Sequence, residues 1–117
     1  MTSNHLLKPV ILASLASLLA FGSFSASARG DAAAGQAKAK QVCAACHGEN
    51  GDKPLQPEYP VLAGQHADYL VNTLKSYKSG ARKNAIMGGQ AQALSAKDML
   101  DVAAWFASQK SSLQSKR

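Results

Sequence analysis

The chain reads Cys43-Ala44-Ala45-Cys46-His47 at its most informative point, and this stretch contains both of its cysteines. C-x-x-C-H is the spacing with which a polypeptide attaches haem. Each thiol forms a thioether with one vinyl group, and the histidine that follows lies under the iron as a ligand. The motif therefore predicts one covalently bound haem c, held by Cys43 and Cys46, with His47 as an axial ligand of the iron.

Three other interpretations of the cysteine pair stay open: a disulfide, a zinc site, and a chance occurrence of a five-residue motif, which is less expected in a small exported chain with no other means of filling its core. A disulfide is common in exported proteins, but the thioredoxin-like fold that uses C-x-x-C needs a βαβ pattern, which the sequence lacks. A zinc site needs closely grouped donors, and the only other histidine beyond residue 28 is His66. Covalent haem is favoured because it explains the histidine directly after the second cysteine, which a disulfide does not require.

Residues 1–28 have the order of a secretory signal peptide. Lys8 precedes an apolar run over residues 9–24, and Ala26-Ser27-Ala28 offers the small residues that signal peptidase prefers. A retained membrane anchor is the alternative, but the apolar run is short and interrupted. We therefore expect cleavage after residue 28, export to the periplasm, and one domain over residues 29–117.

Charge and composition restrict the function classes. The chain has a formal net charge of +6, and removal of the predicted signal peptide takes away one lysine and leaves +5. Export, and lysines scattered without interleaved aromatic residues, argue against nucleic acid. We expect redox proteins with an acidic docking face as partners, and contact with membranes only through partner complexes.

A domain so short and so rich in alanine also needs a cofactor to fill its core.

Helical periodicity and the absence of an alternating strand pattern predict an all-α fold. Helices are predicted over residues 31–42, over residues 65–79 and from residue 95 onward, with loops over residues 47–64 and 81–94. Asp31 is a good N-cap for the first helix, in which Gly35 indicates the close approach of another backbone. Gly80 is placed to end the second helix, and Ser95 with Asp98 forms a capping box for the last.

The second axial ligand has three candidates, Met87, Met99 and His66, with lysines as remote outsiders. Met99 falls on the apolar face of the last helix, which is typical of core filling. His66 begins the second helix, which is typical of a capping or surface residue. Met87 precedes the pair Gly88-Gly89 in a predicted loop, where the backbone can come close to a planar ligand. We therefore predict Met87 as the second axial ligand.

Several further segments form a recognisable series. In chain order they are Gly35, Cys43–Gly48, Tyr59–Gln65, Tyr69-Leu70, Gly80–Arg82, Met87, Leu94-Ser95 and Val102–Phe106. Through these segments, residues 31–108 resemble the class I bacterial cytochromes c, most of all the short monohaem group and each half of the two-haem proteins. One departure is Ala39, at a position four residues before the first cysteine that is usually aromatic.

The resemblance implies the class I cytochrome c fold, with three main helices and their loops around one haem. It implies that His47 and Met87 ligate the iron and that the carbonyl of Pro60 accepts the other N–H of His47. It also implies that Gly35 marks the crossing of the first and last helices, with Trp105 packed against it.

Histidine and methionine together saturate the iron, which disfavours catalysis there and gives a comparatively high potential. We therefore predict a one-electron carrier, not an enzyme, that shuttles between a membrane donor complex and a terminal oxidase or reductase. The alternatives are an electron-entry subunit of a larger dehydrogenase or oxidase, a haem enzyme or gas sensor, and a haem-free disulfide protein.

A basic cluster of Lys75, Lys78, Arg82 and Lys83 is either a solvated helix end or a docking site for an acidic partner.

Overall fold

Helices form the whole regular structure of the computed structural model, which describes residues 29–111. They are α1 (Ala32–Val42), α2 (Ala44–His47), α3 (Ala67–Ser79), α4 (Ala85–Gln92) and α5 (Ala96–Ala107). No strand occurs within residues 29–111, and the predicted all-α class is confirmed. The predicted signal peptide, residues 1–28, lies outside the described residues, as do residues 112–117. In the described part, no helix is both long and apolar enough to cross a membrane.

Side chains and glycines that the sequence offers as caps set the ends of the three long helices. Asp31 Oδ1 accepts hydrogen bonds from the backbone N–H groups at the start of α1, at 2.8 and 3.2 Å. Gly80 ends α3 in the left-handed conformation, with φ +79°. Ser95 and Asp98 form both halves of a capping box at the start of α5. A side-chain cap is worth about 1 kcal/mol, so each predicted cap adds to the local stability of its helix.

The prediction of a loop over residues 81–94 is wrong in its central part, because Ala85–Gln92 form α4. Asn84 explains the helix, since its Oδ1 accepts a hydrogen bond from the backbone N–H of Met87 at 2.9 Å. This cap and the packing of α4 against α3 offset the cost of Gly88 and Gly89, which is about 1 kcal/mol each relative to alanine. Met87 therefore lies on a short helix and not in an irregular loop.

α1 crosses α5 at Gly35. A β carbon at this position would lie 1.9 Å from the carbonyl oxygen of Asp101 and 3.1 Å from the β carbon of Trp105. One turn further along α1, Ala39 is fully buried. Small residues at two successive turns thus let the two backbones come close, and the expectation that Gly35 marks this crossing is confirmed.

The Asp101 side chain links the start of α1 to α5 by a hydrogen bond. This carboxylate is only 5% exposed, accepts a hydrogen bond from the backbone N–H of Asp31 at 2.8 Å, and pairs with Lys97 one turn earlier on α5. The hydrogen bond from Lys97 is the main reason why the pKa of Asp101 lies below its ordinary value, and the Asp31 N–H adds to this. The charged form of Asp101 is therefore part of the helix crossing.

The core lies where α1, α3 and α5 meet. Its buried members are Ala39, Leu70, Val71, Val102, Ala103 and Phe106. Trp105 packs against this cluster, and its indole N–H donates to the carbonyl of Glu49 at 3.1 Å, which links α5 to the loop after α2. The cluster contains one aromatic ring and two alanines, so it is poor in large apolar side chains.

Candidate haem site

The Cys43–His47 motif is folded as the corner between α1 and α2. Cys43 ends the first helix and begins the second, and its carbonyl accepts hydrogen bonds from the N–H groups of Cys46 at 3.2 Å and His47 at 3.0 Å. Gly48 ends the corner with φ +83°, a conformation that favours glycine. The short helical turn brings both thiols and the imidazole to the wall of one cavity.

This cavity has a volume of about 450 Å³, within the range of roughly 300–1,000 Å³ typical of cofactor and small-molecule clefts. Every helix and the loop before α3 contribute to its wall. The apolar side chains of the wall include Val42, Leu62, Leu70, Leu74, Ile86, Leu94, Val102 and Phe106. An apolar cleft with two thiols, one imidazole and one thioether in its wall fits a haem, whose ring is apolar and whose iron takes nitrogen and sulfur ligands.

His47 is held in one orientation by the loop that precedes α3. Its side chain is 6% exposed, and its Nδ1 lies 3.0 Å from the carbonyl oxygen of Pro60. A carbonyl can only accept, so Nδ1 carries the proton and Nε2 keeps its lone pair. The ring of Tyr59 lies beside it, with centroids 6.1 Å apart. This is the arrangement in which a histidine ligates iron through Nε2 while an outer partner fixes the ring.

Met87 reaches the same cavity from α4. The Asn84 cap fixes its backbone N–H, and its side chain is half-buried. The other two candidates for the second axial position do not line this cavity. Met99 is 2% exposed, inside the packing of α5, and His66 is exposed at the N-cap position of α3, where its side chain makes no capping hydrogen bond.

Of the two thiols of the motif, that of Cys43 does not have the lowered pKa of a catalytic cysteine. Neither is in a disulfide, and burial is the main reason why the pKa of Cys43 is raised to about 11, with a contribution from Cys46. Reactive C-x-x-C cysteines have lowered pKa values instead. Across residues 29–111, no group of three or more His, Cys, Asp or Glu side chains is arranged to hold a metal ion. The raised pKa of Cys43 thus fits thioether attachment better than a redox-active dithiol.

The cavity wall contains a polar group that the sequence does not predict. The Arg82 guanidinium lies 5.0 Å from the ring centroid of Tyr77, and its hydrogen bond to Tyr69 is the main reason why the pKa of Tyr69 is lowered. All three residues line the cavity, so one positive charge is held in place there. The exposed Asn84 was also missed, although Asn three residues before Met87 is a recognisable helix-start signal.

The predicted basic cluster divides into two kinds of residue. Lys78 donates through Nζ to the carbonyl of Leu94, and Arg82 has the aromatic partners described above. Lys75 and Lys83 are exposed at the surface. Arg82 is exposed as well, but its guanidinium lies against the ring of Tyr77, so the two lysines are the members of the cluster whose charge is most open to another molecule.

Comparisons with known proteins agree with this site. A cytochrome c family model matches residues 32–110. Cytochrome c4 of Pseudomonas aeruginosa is 51% identical over 88 residues, which are 75% of this chain and 43% of that protein. Cytochrome c-554(548) of Halomonas halodenitrificans is 48% identical over 83 residues, which are 68% of this chain and 98% of that protein.

Among solved structures, reduced recombinant cytochrome c4 from Pseudomonas stutzeri matches with a TM-score of 0.65 and 43% identity, over 71% of this chain and 47% of that chain. The chain thus spans about half the length of the cytochrome c4 relatives and almost all of the Halomonas protein. The structural match confirms the predicted class I cytochrome c fold. The family match includes the Cys43–His47 motif and every helix. The chain therefore belongs to the cytochrome c family, and haem c is the cofactor that its two cysteines bind covalently.

Proposed function

We propose that this chain is a periplasmic one-electron carrier, and not an enzyme, that takes electrons from a membrane donor complex and passes them to a terminal oxidase or reductase. In this proposal residues 1–28 direct export and are removed, and residues 29–117 form the carrier. His47 and Met87 are the two axial ligands of the iron, and Pro60 holds the ring of His47 through its carbonyl.

The observation that carries the proposal is that His47 and Met87 line one apolar cavity from two different elements, α2 and α4. An iron with both axial positions taken has no free site for oxygen, peroxide or an organic substrate. Such a molecule has to displace Met87 before it can react. Electron transfer needs no open position, so it is the chemistry that this arrangement leaves available.

Haem c, when bound, supplies an iron that gains and loses one electron reversibly. The residues around the haem influence the strength of its ligands and its redox potential. The Pro60 carbonyl, 3.0 Å from His47 Nδ1, makes Nε2 a stronger ligand. The apolar wall limits the access of water and so influences the redox potential. Met87 as a ligand raises the potential relative to a second nitrogen donor.

A matched pair of methionine variants tests the proposed ligand set. Met87→Ala should remove the methionine-sulfur charge-transfer band of the ferric holoprotein, lower the midpoint potential, and allow small exogenous ligands to bind. Met99→Leu removes the other methionine of the described residues and conserves volume, so it should leave the spectrum and the potential unchanged. The assignment is wrong if Met99→Leu produces these changes and Met87→Ala does not.

The exposed lysines Lys75 and Lys83 support a partner with an acidic docking face. Charge attraction of this kind acts mainly on the association rate and is screened over about 8–10 Å at physiological salt. Electron transfer to the natural partner should therefore slow as ionic strength rises. The double variant Lys75→Gln/Lys83→Gln should lower the low-salt rate, whereas Lys110→Gln, at an exposed lysine beyond α5, should not. Equal rates for both variants would show that these charges are ordinary solvated surface.

A further inference from the structure

Two hydrogen bonds that run in opposite directions join the end of α3 to the end of α4. Gln92 Nε2 donates to the backbone carbonyl of Lys78 at 2.7 Å. Lys78 Nζ donates to the backbone carbonyl of Leu94, just beyond α4. We call this pair of contacts the α3–α4 clamp. It is non-local, since its partners are separated by 14 and 16 positions in the chain.

The position of Lys78 suits the end of a helix. The last carbonyls of a helix have no partner within it and carry the negative end of its dipole, where a cation is stabilising. Leu94 is 3% exposed, so its carbonyl depends on a protein donor more than a solvated group does. Lys78 is half-buried. The Lys78 ammonium group therefore bonds to a carbonyl within the protein, although the sequence groups this residue with the surface lysines.

Few buried side chains hold α4 in place, although it packs against α3. Its one buried residue is Ala91, and its largest aliphatic side chain, Ile86, is 55% exposed. At its other end the chain is fixed by the Asn84 cap and by the backbone hydrogen bond from Arg82 N–H to Ser76 O, at 3.0 Å. A segment with few buried apolar contacts opens at low free energy. The polar contacts of the clamp therefore add to the packing on α3 in keeping α4, and Met87 with it, against the cavity.

We propose that Lys78 and Gln92 are positioning residues that set how readily Met87 leaves the iron, and hence how easily small exogenous ligands reach it. This inference rests on the proposed function, because it takes Met87 as the axial ligand. Neither Lys78 nor Gln92 lines the cofactor cavity; they act on the equilibrium between the closed and the opened α4 segment. An exogenous ligand that binds only to the opened form gains apparent affinity in proportion to the population of that form.

Imidazole binding to the ferric holoprotein at neutral pH measures that population. Lys78→Met keeps most of the apolar stem and removes the charge and the donor. We expect it to tighten the apparent imidazole affinity about tenfold, which corresponds to about 1.4 kcal/mol. Gln92→Leu, which loses a neutral hydrogen bond, should change it in the same direction by less. Lys110→Met, the same substitution at an exposed lysine, should change it less than twofold.

Denaturant unfolding of the same proteins separates local opening from general destabilisation, since a purely structural role would shift the unfolding midpoint without changing imidazole affinity. The inference is overturned if Lys78→Met and Gln92→Leu both bind imidazole as Lys110→Met does. Met87→Ala separates a failure of the clamp proposal from a failure of the proposed ligand assignment. If Met87→Ala binds imidazole tightly while the clamp variants do not, only the clamp is refuted; if Met87→Ala binds no better than the unmodified protein, the proposed ligand is itself wrong.

Discussion

Replacement of Gly35 by alanine tests the helix crossing on which the rest of the fold is built. The new β carbon would lie 1.9 Å from the Asp101 carbonyl oxygen and 2.4 Å from its carbon, whereas ordinary contact begins near 3.4 Å. Both atoms belong to the backbone of α5, so no side-chain rotation relieves the clash. The two helices must separate locally by about 1.5 Å, a gap that removes well over a quarter of the dispersion energy of each contact affected.

The expected loss of stability follows from two opposing effects. Overpacking of a well-packed interface costs roughly 1–3 kcal/mol, and more where backbone has to move. The higher helix propensity of alanine offsets about 1 kcal/mol of this cost. We expect Gly35→Ala to lower the free energy of unfolding by about 2 kcal/mol, which corresponds to a fall in Tm of about 8–16 °C for a domain of this size.

Thermal unfolding of the holoprotein, followed by far-UV circular dichroism, measures this change. Gly89→Ala is the matched control, because a β carbon at Gly89 meets no atom within 4 Å and the position is helical. It should raise the stability by about 0.5–1 kcal/mol. If Gly35→Ala unfolds at the same temperature as the unmodified protein, the close crossing of α1 and α5 is refuted.

Two further predictions concern the same framework. Because the pKa of Asp101 is held below its ordinary value, chiefly by Lys97, its contribution to stability is present above about pH 4 and is lost as the pH falls through its lowered pKa. Asp101→Asn should therefore flatten the acid side of the stability-against-pH curve, and a curve parallel to that of the unmodified protein would contradict this. Gly51 has φ +71°, and a β carbon there would lie 2.7 Å from the ring of Phe106; Gly51→Ala should cost about 2 kcal/mol in denaturant unfolding, and a neutral effect would refute the packing described.

The features that the sequence predicts correctly are local ones. A motif of five consecutive residues identifies the haem attachment, and the caps Asp31, Gly80 and Ser95 act within a few positions of themselves. Gly35 was interpretable because a glycine inside an alanine-rich helix has few explanations other than a close neighbour. Each of these signals depends on a short stretch of chain, so the chain alone reveals it.

The features that escaped prediction depend on distant partners. The Asn84 cap of α4 is a local signal, but the glycine pair at 88–89 argues against a helix, and the packing that stabilises α4 comes from another helix, α3. The role of Lys78 is invisible in the sequence because its acceptor, the Leu94 carbonyl, is 16 positions away. A lysine on a helix predicts a solvated charge unless the fold supplies a buried acceptor, and only the tertiary structure shows that acceptor.

Each chain is expected to carry one electron on its covalently attached haem. An anaerobic potentiometric titration, monitored by haem absorbance on protein matured in an exporting host, measures this property. We expect one fully reversible transition, in which the ratio of ferrous to ferric protein changes tenfold for every 59 mV, as for a one-electron couple. A two-electron slope, or a purified protein without redox-active haem absorbance, would show that the protein is not a one-electron haem carrier.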